Sequence, residues 1–217
     1  MHKLTRPREA PNCLSRYRHG LNQWNEVAPA EKTQIWEKLD QMQQGRCAYC
    51  ENGLSMSGEH YAAHIEHFRQ RGRYPQGTFE WANLFGSCNR KDSCGKHKDE
   101  SDAYPHEDLI KPDLEDPEHF FLFVSDGSIA IRQGLSAAEQ HRAAATLRIF
   151  NLDVQHGALR QMRSSAVQGY IQTAEELAAM SADFPEDEWL ELLQQELAAV
   201  EHLPFVTAIK HILKSEP

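Results

Sequence analysis

Four of the five cysteines form two close pairs, Cys47 with Cys50 and Cys88 with Cys94. Thiolates arranged as two such pairs are typical ligands of a tetrahedral structural zinc ion. The first pair has the compact C-x2-C spacing, whereas the second is the looser C-x5-C, so buried free thiols are the alternative. A zinc ion would join both ends of the 37-residue segment between the pairs, and its binding free energy would stabilise that segment. Cys13 stands apart, and we predict that it is simply buried.

The segment between the two cysteine pairs contains His64, Glu66 and His67. Because alternate side chains of a strand share a face, His64 and Glu66 are expected together, where both can bind one divalent cation. His67 is left free as a general base, because a neutral imidazole accepts a proton from water near neutral pH. A cation that stabilises charge on a phosphate completes the requirements of phosphodiester hydrolysis. The pattern favours a metal-dependent hydrolase of phosphate esters; the alternative is a zinc module with surface histidines. The role of His60 stays open.

Charge is distributed unevenly along the chain, whose net charge is −9. Residues 67–98 contain seven Lys or Arg and two acids, a local charge of +5, whereas residues 99–126 contain ten acids and one base, a local charge of −9. Attraction to nucleic acid is therefore expected at one site and not over the whole surface. The side chains expected to contact the substrate backbone are Arg69, Arg71, Arg73, Lys96 and Lys98.

The elements that would position these residues are short strands in the middle of the chain and helices at both ends, so the predicted fold class is α+β. We divide the chain into an N-terminal arm and helix (1–45), a zinc-containing core with an acidic loop and a β-hairpin (46–134), and a C-terminal helical region (135–217). The arm is a predicted partner contact. The hairpin is predicted from the apolar runs Phe120–Val124 and Ile129–Ile131 on either side of a Ser-Asp-Gly-Ser turn.

Helix start and stop signals bound the predicted helices. The first begins near Pro29 and ends at Gly45, which suits a left-handed cap. Ser136 followed by Glu139 is a capping box. The C-terminal helices are predicted to begin at Ser136, at Asp153 (running to about Met180), at Pro185 and at Pro204. Tryptophans within apolar patterns are predicted to be core or interface anchors: Trp24, Trp36, Trp81 and Trp189.

The sequence has no segment that predicts insertion into a membrane. Its longest uninterrupted apolar run is Phe120–Val124, far shorter than a transmembrane helix requires. No apolar leader follows Met1, so we expect a cytoplasmic protein without a membrane partner. Thiols stay reduced in the cytoplasm, which favours metal binding by the cysteines over disulfides.

The stretch Cys47–Asp99 resembles the zinc-containing HNH endonucleases of the His-Me finger (ββα-metal) superfamily. The resemblance rests on the phrases I-E-H-F at residues 65–68, F-E-W-A-N-L at 79–84 and C-G-K-H-K-D at 94–99. It implies a ββα-metal core in which His67 is the general base and Asn83 orients it. Glu66 stands where aspartate is usual and, with His64, would hold a catalytic Mg²⁺ or similar divalent ion.

The last ligand of that ion is open, because Gly95 occupies the position where the family has a ligand. His97 is the nearest substitute and Asn89 the second. Gly95 also keeps open a hypothesis from a different class, a catalytically inactive zinc-stabilised adaptor that binds nucleic acid or an ATPase. Glu66 and His67, together with Asn83, favour the nuclease.

A narrower resemblance is to HNH nuclease subunits encoded beside an ABC/SMC-like ATPase in Septu-type and retron-associated antiphage defence. It covers most of the chain, strongly over 46–133, and includes the phrases C-A-Y-C-E and P-D-L-E-D-P-E. It implies an effector nuclease held by the ATPase, in some assemblies together with a retron reverse transcriptase and its msDNA. Neither the resemblance nor the residues distinguish DNA from RNA as the substrate.

Overall fold

The computed structural model describes residues 1–54, 63–183 and 185–215. Within these residues the chain is an α+β structure with seven α-helices and two antiparallel two-stranded sheets. The helices are α1 (Pro29–Gln43), α2 (Cys94–Glu100), α3 (Ala137–Ile149), α4 (Ala158–Gln168), α5 (Ile171–Asp183), α6 (Glu186–Ala199) and α7 (Val206–Leu213). The strands are β1 (Ala63–His67), β2 (Leu84–Cys88), β3 (Phe121–Phe123) and β4 (Ile129–Ile131). In this part of the chain, no helix has both the length and the apolarity needed to cross a bilayer.

The first sheet pairs β1 with β2 and places His67 opposite Leu84. Strand β2 is buried along its whole length, because α1 packs against it. Gln43, the last residue of α1, accepts a hydrogen bond from the Gly86 amide (2.7 Å) and donates one to the Gly86 carbonyl (2.9 Å). A Cβ on Gly86 would lie 2.7 Å from a ring carbon of Trp36, so glycine allows α1 to approach this closely.

Helix α2 packs on the first sheet. It carries Cys94, from the second cysteine pair, and His97, a candidate ligand of the catalytic ion. It begins at Cys94, whose φ of 57° is in the left-handed region and whose amide donates to the Phe150 carbonyl (2.7 Å). Cys94, Gly95 and Lys98 are its buried residues. Because these residues are one and then three positions apart, all three lie on one side of the helix, facing the sheet.

The second sheet is the predicted β-hairpin, which the structure confirms with Leu122 opposite Ala130. Its turn requires glycine at position 127, where φ is 83° and an added Cβ would lie 2.1 Å from the Arg160 carbonyl oxygen. The Phe123 amide donates to Nδ1 of His211 (2.9 Å), which joins β3 to α7.

Several helix boundaries agree with the sequence. α1 begins at Pro29, and the backbone turns left-handed at Gln44 and Gly45. The capping box before α3 is confirmed: the Glu139 amide donates to Ser136 Oγ (3.3 Å) and the Ser136 amide donates to Glu139 Oε2 (2.8 Å).

The single helix predicted from Asp153 to Met180 is wrong. The chain forms two helices there, α4 with Gly157 as its N-cap and α5 after a break at Gly169. Glycine is a poor helix former, and Gly169 ends α4 at its C-cap. Both helices pack against α7.

The first residues of the N-terminal arm pack on the segment that leads into β2. The Arg6 guanidinium donates to the carbonyls of Trp81 (2.8 Å) and Leu84 (3.0 Å) and lies 4.5 Å from the centre of the Phe85 ring. The Trp81 indole donates in return to the Pro7 carbonyl (3.0 Å). These contacts bring the arm to the same end of the first sheet as His67.

Candidate active site and metal centres

The two cysteine pairs converge on one point. The sulfur atoms of Cys47, Cys50, Cys88 and Cys94 all lie within 4.8 Å of one another, and all four residues are buried. Cys50 and Cys88 have Sγ atoms 3.9 Å apart, close to the spacing of about 3.8 Å between two thiolates bound to one tetrahedral zinc ion. The predicted convergence is confirmed, and this cluster can hold a zinc ion. Cys13 is buried elsewhere, as predicted.

Contact between the four thiols shifts the pKa values of Cys47 and Cys50 in opposite directions, because a negative charge on one sulfur opposes ionisation of the next. Burial raises the pKa of Cys47, but hydrogen bonds from the other three thiols bring it well below its usual value. The hydrogen bond to Cys47 instead raises the pKa of Cys50 well above its usual value. The Cys88 amide also donates to Cys47 Sγ (3.4 Å). A divalent cation bound by these sulfurs would remove the competition, because it stabilises all four as thiolates.

A second donor pair lies on β1, where His64 Nε2 is 3.3 Å from Glu66 Oε2. Two ligand atoms about 2.1 Å from one Mg²⁺ ion in octahedral geometry are about 3.0 Å apart. His64 donates from Nδ1 to Asn89 Oδ1 (2.9 Å), so a neutral ring has a lone pair on Nε2 that faces the carboxylate. Either a proton on Nε2 or a cation between the two atoms relieves this repulsion, so the pair fits a divalent ion.

Gly95 provides the space in which this pair sits. A Cβ on residue 95 would lie 2.5 Å from Glu66 Oε2 and 3.0 Å from His64 Nε2. Gly95, which stands where the resemblance predicts a metal ligand, therefore lies next to both donor atoms of the candidate metal site and adds no side chain to it.

Lys98 has a different position from the one predicted. Its side chain is fully buried, with Nζ at 2.7 Å from Glu66 Oε1, 3.0 Å from the His67 carbonyl and 2.6 Å from Asp99 Oδ1. The predicted contact of Lys98 with a substrate backbone is therefore wrong. Lys98 forms an internal ion pair instead, because α2 turns residue 98 toward the sheet. Burial raises the pKa of Glu66, but the positive charge of Lys98, together with a contribution from His64, holds that pKa below its usual value.

His67 is a buried, uncharged imidazole. Its Nε2 donates to the Thr78 carbonyl (3.0 Å), so Nδ1 carries the lone pair. The edge-to-face ring of Trp24 lies 4.5 Å away, centroid to centroid. Burial, followed by the positive charge of Arg71, lowers the pKa of His67 to about 4. The ring is therefore in the protonation state of a general base at neutral pH.

Asn83 stabilises the loop beside His67 by hydrogen bonds to its backbone. It makes no hydrogen bond to the His67 ring itself. Its Oδ1 accepts from the Arg69 amide (2.7 Å), and its Nδ2 donates to the carbonyls of Arg69 (3.2 Å) and Gly77 (3.0 Å). These bonds tie the two ends of the loop that follows β1. Thr78, the partner of the His67 ring, is the next residue after Gly77, so Asn83 can orient the imidazole through the backbone.

The predicted substrate-binding residues other than Lys98 are at the surface or close to it. Arg69 is ion-paired with Glu80, and Arg73 donates to the carbonyls of Ser101 and Asp102. Arg71 and Lys96 are exposed, and neither has a hydrogen-bond or ion-pair partner among the residues described. Arg71 and Lys96 are therefore the two of this set most available to a phosphate.

The two candidates for the last catalytic ligand lie outside the donor pair. His97 Nδ1 is 2.9 Å from the Ile149 carbonyl, which turns the ring toward α3, and none of its contacts in the described structure is to Glu66 or His64. Asn89 binds His64 at Nδ1 and therefore orients that ring from behind. His60 lies outside the described residues.

Trp24 is a residue of the site that the local sequence pattern does not indicate, and Lys98 belongs to the site in a different role from the one predicted. Trp24 looked like a core anchor, because it lies in an apolar pattern 43 positions before His67. Lys98 is one of the five cations that the sequence predicts at the substrate backbone. No spacing signal links either residue to His67 or Glu66, because these contacts are made between distant segments.

Comparison with known proteins gives one curated relative of limited coverage. No protein-family model matches the chain. The chain is 30% identical over 96 residues to the Septu protein PtuB of Bacillus thuringiensis, an alignment of 41% of this chain and 35% of that protein. The chain therefore matches about a third of the length of this relative.

Proposed function

We propose that this chain is a metal-dependent endonuclease of the HNH type, which hydrolyses phosphodiester bonds as the effector of a Septu-type antiphage defence system. One observation carries the activity: Glu66 and His64 converge beside Gly95, and the residue after Glu66 is a buried, neutral imidazole. A cation site next to a proton acceptor is what hydrolysis of a phosphodiester requires.

Glu66 and His64 would hold the divalent ion, with Mg²⁺ as the expected metal. Bound there, it would neutralise charge on the scissile phosphate and on the leaving oxygen. Two protein ligands suit Mg²⁺, which keeps several waters and also binds substrate phosphate. Lys98 neutralises the other carboxylate oxygen, so Glu66 stays ionised although it is buried.

His67 would accept the proton of the attacking water at its free ring nitrogen. Its hydrogen bond to the Thr78 carbonyl fixes the tautomer, and Asn83 fixes the loop that supplies this carbonyl. Arg71 and Lys96 would contact the phosphate backbone on either side. The four-cysteine cluster would hold a structural zinc ion, which joins α2 to β2 through Cys94 and Cys88.

The similarity to the Septu protein PtuB supports a role in antiphage defence with partner proteins. The partner we propose is an ABC/SMC-like ATPase. The net charge of −9 supports dependence on a partner, because an acidic chain by itself binds nucleic acid weakly. Assembly with a retron reverse transcriptase and its msDNA, and the cytoplasmic location, stay predictions from the sequence.

The test is cleavage of labelled DNA and RNA pools by the chain, alone and with its co-purified partner, in Mg²⁺ and in EDTA. We expect Mg²⁺-dependent cleavage that His67→Ala abolishes without a change in zinc content or melting temperature. His141→Ala is the matched control, because His141 is an exposed histidine on α3. Equal cleavage by His67→Ala and the unmodified chain would rule out this base. Tight binding without turnover, indifferent to Mg²⁺, would support the adaptor instead.

A further inference from the structure

A surface pocket of about 430 Å³ lies beside His67, because two of its lining residues contact that ring. One wall comes from the N-terminal arm and the other from the loop after β1. The lining residues that matter here are His19, Gln23, Trp24, Arg71, Thr78 and Glu26. The Glu26 carboxylate accepts hydrogen bonds from the Asn22 side chain (3.0 Å) and the Gln23 amide (3.2 Å). Its volume is in the range of small-molecule sites.

Two of these wall residues also touch the ring of His67. The Trp24 ring packs edge-to-face on it, with 4.5 Å between centroids and 88° between planes. The Thr78 carbonyl accepts its hydrogen bond. The pocket therefore borders two groups that contact the proposed general base, the Trp24 ring and the Thr78 carbonyl.

The pocket combines an aromatic ring with unpaired positive charge. Arg71 is exposed on its rim and has no carboxylate or carbonyl partner in the described part of the chain. Arg18, one residue before His19, is likewise exposed, and its side chain has no such partner there. Trp24 is half-buried, and its indole N–H has no acceptor among those residues. An aromatic face with cations beside it is the usual combination for a nucleotide without sequence preference.

We propose that this pocket binds one unpaired nucleotide next to the scissile phosphate, with its base on Trp24 and its phosphate on Arg71. The proposal rests on the nuclease function given above and names its substrate class, nucleic acid that is single-stranded or locally unpaired at the cleavage site. A base inside a duplex has both faces against its neighbours, so it reaches a recessed aromatic ring only after leaving the stack.

The experiment measures binding without cleavage. The full chain, with any partner that co-purifies, is titrated in EDTA against a fluorescently labelled 20-nucleotide single strand and against the same strand in a duplex. The variants are Trp24→Leu, Trp24→Phe and Arg71→Gln. Trp189→Leu is the matched control, since Trp189 is a half-buried tryptophan on α6, in another part of the chain. Zinc content and melting temperature report folding.

We expect the unmodified chain to bind the single strand more tightly than the duplex, and Trp24→Leu to weaken single-strand binding about tenfold. Trp24→Phe should recover most of this loss, and Arg71→Gln should reduce the dependence of binding on salt. Equal binding of single strand and duplex, no binding of either, or equal losses in the Leu and Phe variants would overturn the proposal. Cleavage by His67→Ala would overturn the general base but leave these binding results standing, so the two failures are distinguishable.

Discussion

The carboxylate of Glu66 occupies the space beside Gly95 that a side chain at position 95 would need. A Cβ built on Gly95 would be 2.5 Å from Glu66 Oε2, well inside contact distance. Glycine at this position is therefore a condition for Glu66 and His64 to approach each other. This arrangement fits the proposed metal site, in which β1 would supply both protein ligands.

Adding any side chain at position 95 should remove activity. Gly95→Ala is expected to displace Glu66 and to lower Mg²⁺-dependent cleavage about a hundredfold, since small displacements of a metal ligand are costly. Gly95→His, which adds an imidazole that could bind a divalent ion, should be at least as inactive. Gly169→Ala is the control, because nothing lies within 4 Å of a Cβ there. Higher cleavage by the His variant would show that a ligand is missing.

Removing the buried ammonium of Lys98 should destabilise the fold. Lys98→Met leaves the Glu66 carboxylate buried without its partner, so the free energy of unfolding should fall by about 3 kcal/mol. Lys96→Met, the same change at an exposed position of α2, should alter it by less than about 0.5 kcal/mol. Urea denaturation of both variants measures the difference. Equal stabilities would mean that Lys98 does not compensate Glu66.

The buried state of His67 should make stability depend on pH. The pKa of this ring is about 4 in the folded chain and about 6.5 in an unfolded one. The unfolded state therefore binds more protons between these values, so this contribution is complete above pH 6.5 and is lost as the pH falls toward 4. Its full size is about 3 kcal/mol.

Urea denaturation at pH 7.5 and pH 5.5 tests this linkage. The unmodified chain should lose about 1 kcal/mol more between these two pH values than His67→Gln does. His141→Gln, a change at an exposed histidine, should keep the unmodified pH dependence. Parallel losses in the unmodified chain and His67→Gln would show that His67 titrates as it does in water.

Loss of one cysteine of the cluster should abolish zinc binding and unfold the core. Cys50→Ser is expected to reduce zinc from one equivalent to near zero and to lower the melting temperature sharply, because zinc binding is coupled to folding. Cys13→Ser makes the same change at a buried thiol outside the cluster and should retain the zinc. Elemental analysis and thermal denaturation measure both effects. A zinc-free Cys50→Ser chain that melts like the unmodified one would contradict the structural role.

Residue type and short spacing were sufficient for the features that are local in the chain. The two cysteine pairs, the alternation of His64 and Glu66, the hairpin turn and the capping box at Ser136 all depend on neighbours within a few residues. Each of these predictions agrees with the structure. Local geometry determines which side chains share a strand face or close a turn, so the sequence by itself indicated a metal cluster and a second donor pair.

The tertiary structure decided which distant side chains surround those donors. Lys98 reaches Glu66 across 32 positions, and Trp24 meets His67 across 43, because α2 and the arm both fold back onto β1. Packing also turned His97 toward Ile149 and gave Gly95 its place at the donor pair. Burial and charge compensation arise only when these segments meet, and no periodicity within one segment encodes them.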